Sequence, residues 1–317
     1  MVCYSHVVDC SLSRQAGYFR WPAFLLVDSN FLRKFILQVP NVIHETFEPW
    51  VNPIFRWAGS KRKLIPALTR RIPSKFTNYF EPFAGSACLF FAIRPKRAVL
   101  GDINEQLITA YQMILAHPRI VARQASDIPP TPESYYQIRS NLPNETASLT
   151  RAIYFVFLNR HCFNGVYRTN KKGHFNVPFG RCTGAMPDAR HFFRCSLALR
   201  SAILLCSDYS ETLSKVRKND FVYLDPPYSS CDRPRYGEYG YDSFQPLDVS
   251  NLAKSLKEIH RRGAKFMLSY ADSRAARKEF AKFRIEVLEV RRHIAGFARH
   301  RNYVKELIVS NYAKYGT

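Results

Sequence analysis

Four consecutive residues, Asp225-Pro226-Pro227-Tyr228, follow the short apolar run Phe221–Leu224. The prolines fix the backbone and remove two N–H donors, leaving carbonyls free to accept. Asp225 adds a carboxylate acceptor and Tyr228 a flat face. Together they can hold a planar ring bearing an NH2 group, with both N–H bonds satisfied and the ring stacked. A Pro-Pro turn is common; one at the end of a buried strand, between Asp and Tyr, is not. Two further segments can serve a ligand. Phe80-Glu81-Pro82-Phe83-Ala84-Gly85-Ser86-Ala87 places a small-residue turn after an apolar run, where backbone can approach a ligand closely. It matches neither a P-loop nor a G-x-G-x-x-G fingerprint. Asp102 ends the next apolar run, where a carboxylate suits the two hydroxyls of a ribose and equally suits the cap of a following helix.

All three segments need strands that end beside one another, and the hydrophobic pattern supplies them. Residues 77–83, 98–102, 201–207, 221–224, 265–270, 284–290 and 303–311 read as strands. Helices are expected at 84–91 (after the turn), 104–116, 211–218 and 247–262, the last from the spacing of Leu252, Leu256 and Ile259. Strands alternating with helices predict an α/β fold with a mainly parallel, doubly wound sheet. Ligands then sit beyond the carboxyl ends of the strands. Residues 117–200 break the rhythm. They hold a turn-rich run at 127–132, a helix near 150–158, and a stretch over 159–182 that mixes Gly165, Gly173, Gly180 and Pro178 with Arg160, Arg168, Lys171, Lys172 and Arg181. That stretch reads as a basic hairpin in an inserted domain.

The chain has 317 residues, 46% of them hydrophobic, enough for one large α/β domain or a catalytic core with an insert. Its formal charge is +22, which favours a polyanionic partner. The first 50 residues carry four basic and four acidic side chains, so the whole surplus lies in 51–317. Residues 1–50 show no steady period and read as a separable extension or a mis-called start upstream of Val51. Eight cysteines occur without a C-x-x-C pair, which argues against a zinc site or disulfide framework and for reduced thiols in the cytoplasm. No secretory signal is expected, and the apolar stretch at 21–27 is too short to span a bilayer. No metal-ligand cluster is visible, so neither metal nor membrane is expected as a partner.

In these segments the chain resembles the Dam-type DNA adenine methyltransferases, over nearly all of residues 54–311. The resemblance rests on Phe55-Arg56-Trp57-Ala58-Gly59-Ser60-Lys61, Glu81-Pro82-Phe83-Ala84-Gly85-Ser86, Gly101-Asp102-Ile103-Asn104, Asn159-Arg160-His161-Cys162-Phe163-Asn164-Gly165, Phe175-Asn176-Val177-Pro178-Phe179-Gly180 and Asp225-Pro226-Pro227-Tyr228, all in the family's order. It implies a Rossmann-like methyltransferase domain made of 51–116 and 201–317. A mostly helical target-recognition domain with a β-hairpin would be inserted at 117–200. It implies S-adenosyl-L-methionine as cofactor, double-stranded DNA as partner, and a monomer in a bacterial or phage-type cytoplasm. Trp57, Lys61, Phe83, Ala84, Gly85, Asp102, Asp208 and Tyr209 would hold the cofactor, with Lys61 near its carboxylate, Asp102 on the ribose and Asp208-Tyr209 at its adenine. Asp225, Pro226, Pro227 and Tyr228 would receive a flipped adenine. Arg56, Asn164, Arg168 and Pro178 would face the DNA, with Arg168 reading a base edge. Ser60 departs from a common glycine, and Cys182 stands where a DNA-touching tyrosine is frequent. GATC is the recognition sequence the resemblance favours, because Arg168 and Pro178 are kept. Such enzymes work with a restriction endonuclease or alone. The competing expectations are a methyltransferase on an RNA base or a protein amide, whose tetrapeptide usually begins with Asn, and a DNA-binding homologue without catalysis. Arg291, Arg292, Arg299 and Arg301, around Gly296, fit either a phosphate-binding loop or a solvated hairpin.

Overall fold

The computed structural model describes residues 50–170, 172–180, 183–228, 244–291 and 303–313. Lys171, Arg181, Cys182, Arg292, Gly296, Arg299, Arg301 and residues 1–49 lie outside them. For Arg291, only the backbone at the end of a strand is described.

Seven strands form one sheet: β1 (Tyr79–Glu81), β2 (Ala98–Asp102), β3 (Ala202–Cys206), β4 (Phe221–Leu224), β5 (Lys265–Ala271), β6 (Arg284–Arg291) and β7 (Tyr303–Ser310), in the order β3-β2-β1-β4-β5-β7-β6. β3, β2, β1, β4 and β5 run parallel; β7 inserts antiparallel between β5 and β6. The mixed α/β architecture expected from the sequence is present. The central strands are buried on both faces, so they read as continuous apolar runs rather than as alternation. Their side chains still alternate between two cores. Tyr79, Phe221 and Tyr223 join one cluster, while Phe80, Val222 and Leu224 join the other.

The helices follow the sequence locally. α1 (Ile65–Thr69) and α2 (Cys88–Ile93) flank β1. α3 (Glu105–Ala116) starts at Asn104, whose side chain accepts from the Leu107 N–H at 2.9 Å. Residues 117–200 contain α4 (Pro118–Asp127), α5 (Pro132–Asn141), α6 (Ser148–His161) and α7 (Ala189–Leu199). Here sequence periodicity identified only α6. Pro118 and Pro132 open their helices at the first turn, where a missing N–H is harmless. The expected turn at 127–132 is the α4–α5 joint. α6 and α7 pack on α3, and α4 packs on both of them. The hairpin expected from residue 159 begins later, because α6 runs through His161. It is held by two isolated bridges, Cys162 with Phe179 and Thr169 with Phe175. α8 (Tyr209–Ser214), α9 (Pro246–Arg261) and α10 (Arg274–Glu279) complete the described helices.

One close contact joins β2 to α8. A Cβ on Gly101 would lie 2.3 Å from Thr212 Oγ1, and Thr212 is fully buried. Gly101→Ala is therefore expected to displace α8 and to cost about 1–3 kcal/mol, as overpacked cores do. Urea unfolding measures this; an unchanged midpoint would show that Thr212 yields without loss.

Candidate active site

The carboxyl ends of β1, β2 and β4 open into a cavity of about 560 Å³. Residues far apart in the sequence line it, from Trp57 to Asp248.

One end is built around the β1 turn. Gly85 has φ +46°, and a Cβ there would lie 2.7 Å from the Trp57 indole, so glycine is required both for conformation and for space. The Gly85 N–H donates to Asp102 Oδ2 at 2.9 Å, and its carbonyl accepts from the Tyr111 hydroxyl at 2.8 Å. Asp102 Oδ1 accepts from the Asn104 N–H at 2.9 Å. Asp102 therefore does not cap the following helix; Asn104 does. Burial pushes the Asp102 carboxyl above its usual range, and the two N–H bonds oppose that shift. The Ala84 N–H donates to the Gly101 carbonyl at 2.9 Å, locking the turn to β2. Phe83 stacks on Tyr209, with centroids 5.1 Å apart and planes 27° from parallel, and Phe244 meets Phe83 edge-on. Asp208 lines the same end and caps α8 by accepting from the Ser210 N–H.

The other end is polar and more charged. Asp225, Pro226, Pro227 and Tyr228 leave β4 and line the cavity. The Lys61 ammonium has three acceptors: Asp225 Oδ1 at 2.5 Å, Gly59 O at 3.0 Å and Glu306 Oε1 at 3.2 Å. Burial alone would lower the Lys61 pKa, but Asp225, Tyr228 and Glu306 outweigh it and hold the ammonium well above its ordinary value. Lys61, expected beside a cofactor carboxylate, is thus bound to the carboxylates of the Asp225 end. The Tyr228 hydroxyl donates to Glu306 Oε1 at 2.9 Å, and its ring meets Tyr270 edge-on at 5.3 Å.

Beneath both ends lies Glu81, which accepts from the Tyr79 hydroxyl at 2.7 Å. Burial raises its carboxyl from 4.5 to about 8, although the tyrosine bond pulls it down. The folded chain then holds a proton that the unfolded chain releases between those values, so stability falls as pH rises through that window. Glu81→Gln is expected to flatten this dependence, whose slope approaches about 1.4 kcal/mol per pH unit. Urea unfolding at pH 6, 7 and 8 tests it; identical slopes in the two proteins would reject the assignment.

The segment 159–180 meets the Trp57 loop. Arg56 donates from Nη1 to the carbonyls of Thr183 at 3.2 Å and Arg160 at 3.4 Å. The Asn159 amide brackets the Arg56 backbone through both its N–H and its carbonyl. Gly165, at φ +63°, makes room for Arg56; a Cβ would lie 2.4 Å from its Nε. Arg56, expected to face DNA, thus has its Nη1 donor on protein carbonyls. Trp57 stacks on Tyr167 at 5.0 Å and 15°. Arg168 Nε donates to Asn176 Oδ1 at 2.9 Å, which fixes the direction of its guanidinium. Asn164 and Pro178 are exposed on the same segment, and the Pro178 carbonyl accepts from the Phe163 N–H.

Sequence reasoning missed Glu306, Tyr167 and Tyr111. For Glu306 a signal existed, an acidic residue inside the apolar closing strand. The other two act through contacts that only the fold creates. Among the described residues, no group of His, Cys, Asp or Glu could hold a metal ion, and no helix is long and apolar enough to cross a membrane.

Comparison with known proteins identifies the family. A profile described as D12 class N6 adenine-specific DNA methyltransferase matches residues 57–294. The DNA adenine methylase of Escherichia coli is 29% identical over 258 residues, covering 80% of this chain and 92% of the methylase. The type II methyltransferase M.MjaIII of Methanocaldococcus jannaschii is 30% identical over 287 residues, covering 83% and 99%. The type II methyltransferase M1.LlaDCHI of Lactococcus lactis subsp. cremoris is 29% identical over 275 residues, covering 83% and 96%. Matched over most of its length, the chain belongs to the D12 class N6 adenine-specific DNA methyltransferases.

Proposed function

We propose that this enzyme transfers a methyl group from S-adenosylmethionine to N6 of an adenine turned out of duplex DNA, with GATC as the sequence read. The observation that carries the reading is one cavity shared by both groups of residues. Its lining includes the Gly85–Asp102 turn, the Phe83–Tyr209 stack and Asp225–Tyr228. The first end fits the cofactor: a carboxylate held by backbone N–H groups suits ribose hydroxyls, and paired aromatic rings suit a purine. Trp57, Phe83, Ala84, Gly85, Asp102, Asp208 and Tyr209 would hold it. When bound, the cofactor supplies an electrophilic methyl carbon on a sulfonium sulfur.

The Asp225 end suits the base. A base inside the duplex is out of reach, so it must be flipped. Tyr228 stacks on the ring. The Asp225 carboxylate and the Pro226 carbonyl accept the two N6–H bonds, which aims the nitrogen lone pair into the cavity. A carboxylate is far too weak a base to deprotonate the neutral amine first. Asp225 instead stabilises the positive charge that gathers on N6 as the N–C bond forms and the C–S bond breaks. Its carboxylate then accepts the proton from the methylated amine and releases it to water.

The 117–200 insert would read the DNA. Support comes from the charge of +22, the exposed Asn164 and Pro178, and Arg168 oriented by Asn176. Arg168 would address a base edge in the major groove. Arg56 would serve the interface from beneath, as a strut for the segment that carries Asn164.

The test is tritiated methyl transfer from S-adenosylmethionine to adenine-unmethylated plasmid, with the modified positions mapped. Label confined to adenine in GATC supports the whole reading. Label at adenine in another sequence rejects only the GATC assignment. No label on DNA rejects the substrate.

A further inference from the structure

Glu306 lies at the Asp225 end but has no part in the mechanism above. It sits on β7, opposite Ala271 of β5 and Leu288 of β6. Its side chain is 5% exposed, on a strand whose next three residues are buried and apolar. A carboxylate so placed is costly unless partnered, so its partners indicate its use. They are the Tyr228 hydroxyl at 2.9 Å and the Lys61 ammonium at 3.2 Å. Both lead to the groups assigned to the target base: Tyr228 directly, and Asp225 through its 2.5 Å contact with Lys61.

We propose that Glu306 is a positioning residue for methyl transfer, which fixes the Tyr228 ring and the Lys61 ammonium so that stacking face and amine acceptor stand in register. The proposal rests on the assignment of Asp225 and Tyr228 to the target adenine. Two features support it beyond simple ion pairing. First, the Tyr228 ring is bounded on several sides: its hydroxyl by Glu306, its edge by Tyr270, and Lys61 5.2 Å from its centroid. A side chain held at its far end keeps its ring plane fixed, and stacking catalysis depends on that plane. Second, Asp225 and Glu306 share one ammonium. With both carboxylates ionised, the trio carries one net negative charge, opposite to the charge that arrives on N6. A buried carboxylate that served only to close the fold would not need to touch Tyr228.

The experiment is single-turnover methyl transfer to plasmid DNA by the full chain at saturating S-adenosylmethionine, with calorimetric measurement of cofactor binding. Glu306→Gln keeps the shape of the side chain and removes its charge. It is expected to slow the single-turnover rate about a hundredfold while cofactor affinity stays within about twofold. A rate within about threefold of wild type would overturn the proposal. So would a rate loss matched by an equal loss of cofactor affinity, the mark of a loosened fold. If Glu306→Gln does not fold, Tyr228→Phe decides, because it keeps the ring and deletes only the hydroxyl. A rate about tenfold lower supports positioning through that contact, and an unchanged rate overturns it. Asp225→Ala is the control for the underlying reading. If it retains the wild-type rate, the assignment of the pocket itself fails, whatever Glu306 does.

Discussion

Asp225→Ala is expected to slow methyl transfer about a thousandfold or more, while S-adenosylmethionine binds within about threefold of wild type. The substitution removes the only carboxylate assigned to the N6 amine and leaves the Gly85–Asp102 hydrogen bond untouched. Folding should survive. Lys61 keeps two of its acceptors, Glu306 and the Gly59 carbonyl, so no ammonium is stranded. Calorimetry with the cofactor and a filter-binding methylation assay read the two quantities separately. Retained turnover would remove Asp225 from the mechanism; loss of cofactor binding along with turnover would mean that the two ends of the cavity are not independent.

Lys61→Met should damage stability more than any other single change at the site. Methionine fills a similar volume but leaves Asp225 and Glu306 facing each other without a cation between them. Breaking a buried ion pair by removing one partner typically costs about 3–5 kcal/mol, because the remaining charge is stranded. The pH dependence has a definite sign. Two carboxylates left without the cation between them repel each other more as they ionise, so the variant retains its stability at low pH and loses it as pH rises. In the wild type the Lys61 pKa is raised, so its stabilisation is complete at neutral pH and is lost only in strong alkali. Urea unfolding at pH 5.5 and 8 should therefore show the two proteins diverging as pH increases. A constant gap would indicate that packing, not charge, made the difference.

The elements that carry the site were legible because each is a short apolar run stopped by a polar residue. Ala98–Asp102 and Phe221–Leu224 were bounded correctly from that pattern alone. The expected strand at 77–83 is Tyr79–Glu81, and it stops at Glu81 because Pro82 has no N–H to pair. In residues 117–200 the helix α6 and the hairpin were legible, but α4, α5 and α7 were not. α4 buries just Val121, Ala122 and Ala125, too small a stripe to stand out from its polar surroundings. In the cavity, contiguous segments such as Asp225–Tyr228 could be found in one dimension because their chemistry is local. Glu306 stood out only as an acidic residue in an apolar strand: its meaning depends on β7 pairing with β5, which sets it beside a lysine more than two hundred residues earlier. The contacts of Arg56 were hidden for a related reason. The resemblance alone gave it a DNA-facing role, and no pattern in the sequence showed that Gly165 opens a slot for its side chain or that protein carbonyls receive its Nη1 donor.

The place of β7 has a consequence for how the enzyme comes into being. The strand late in sequence does not add to the rim of the sheet; it fills the gap between β5 and β6. Long-range pairings of this kind form slowly, because the loop between partners must close before any contact rewards it. A nascent chain that has reached β6 already contains every contiguous segment by which the family is recognised, from Trp57 to Tyr228. It still lacks the carboxylate that steadies Tyr228, and β5 has an open edge. On the role proposed for Glu306, the full rate of methyl transfer therefore waits for the β6–β7 pair to dock, however early the motifs emerge.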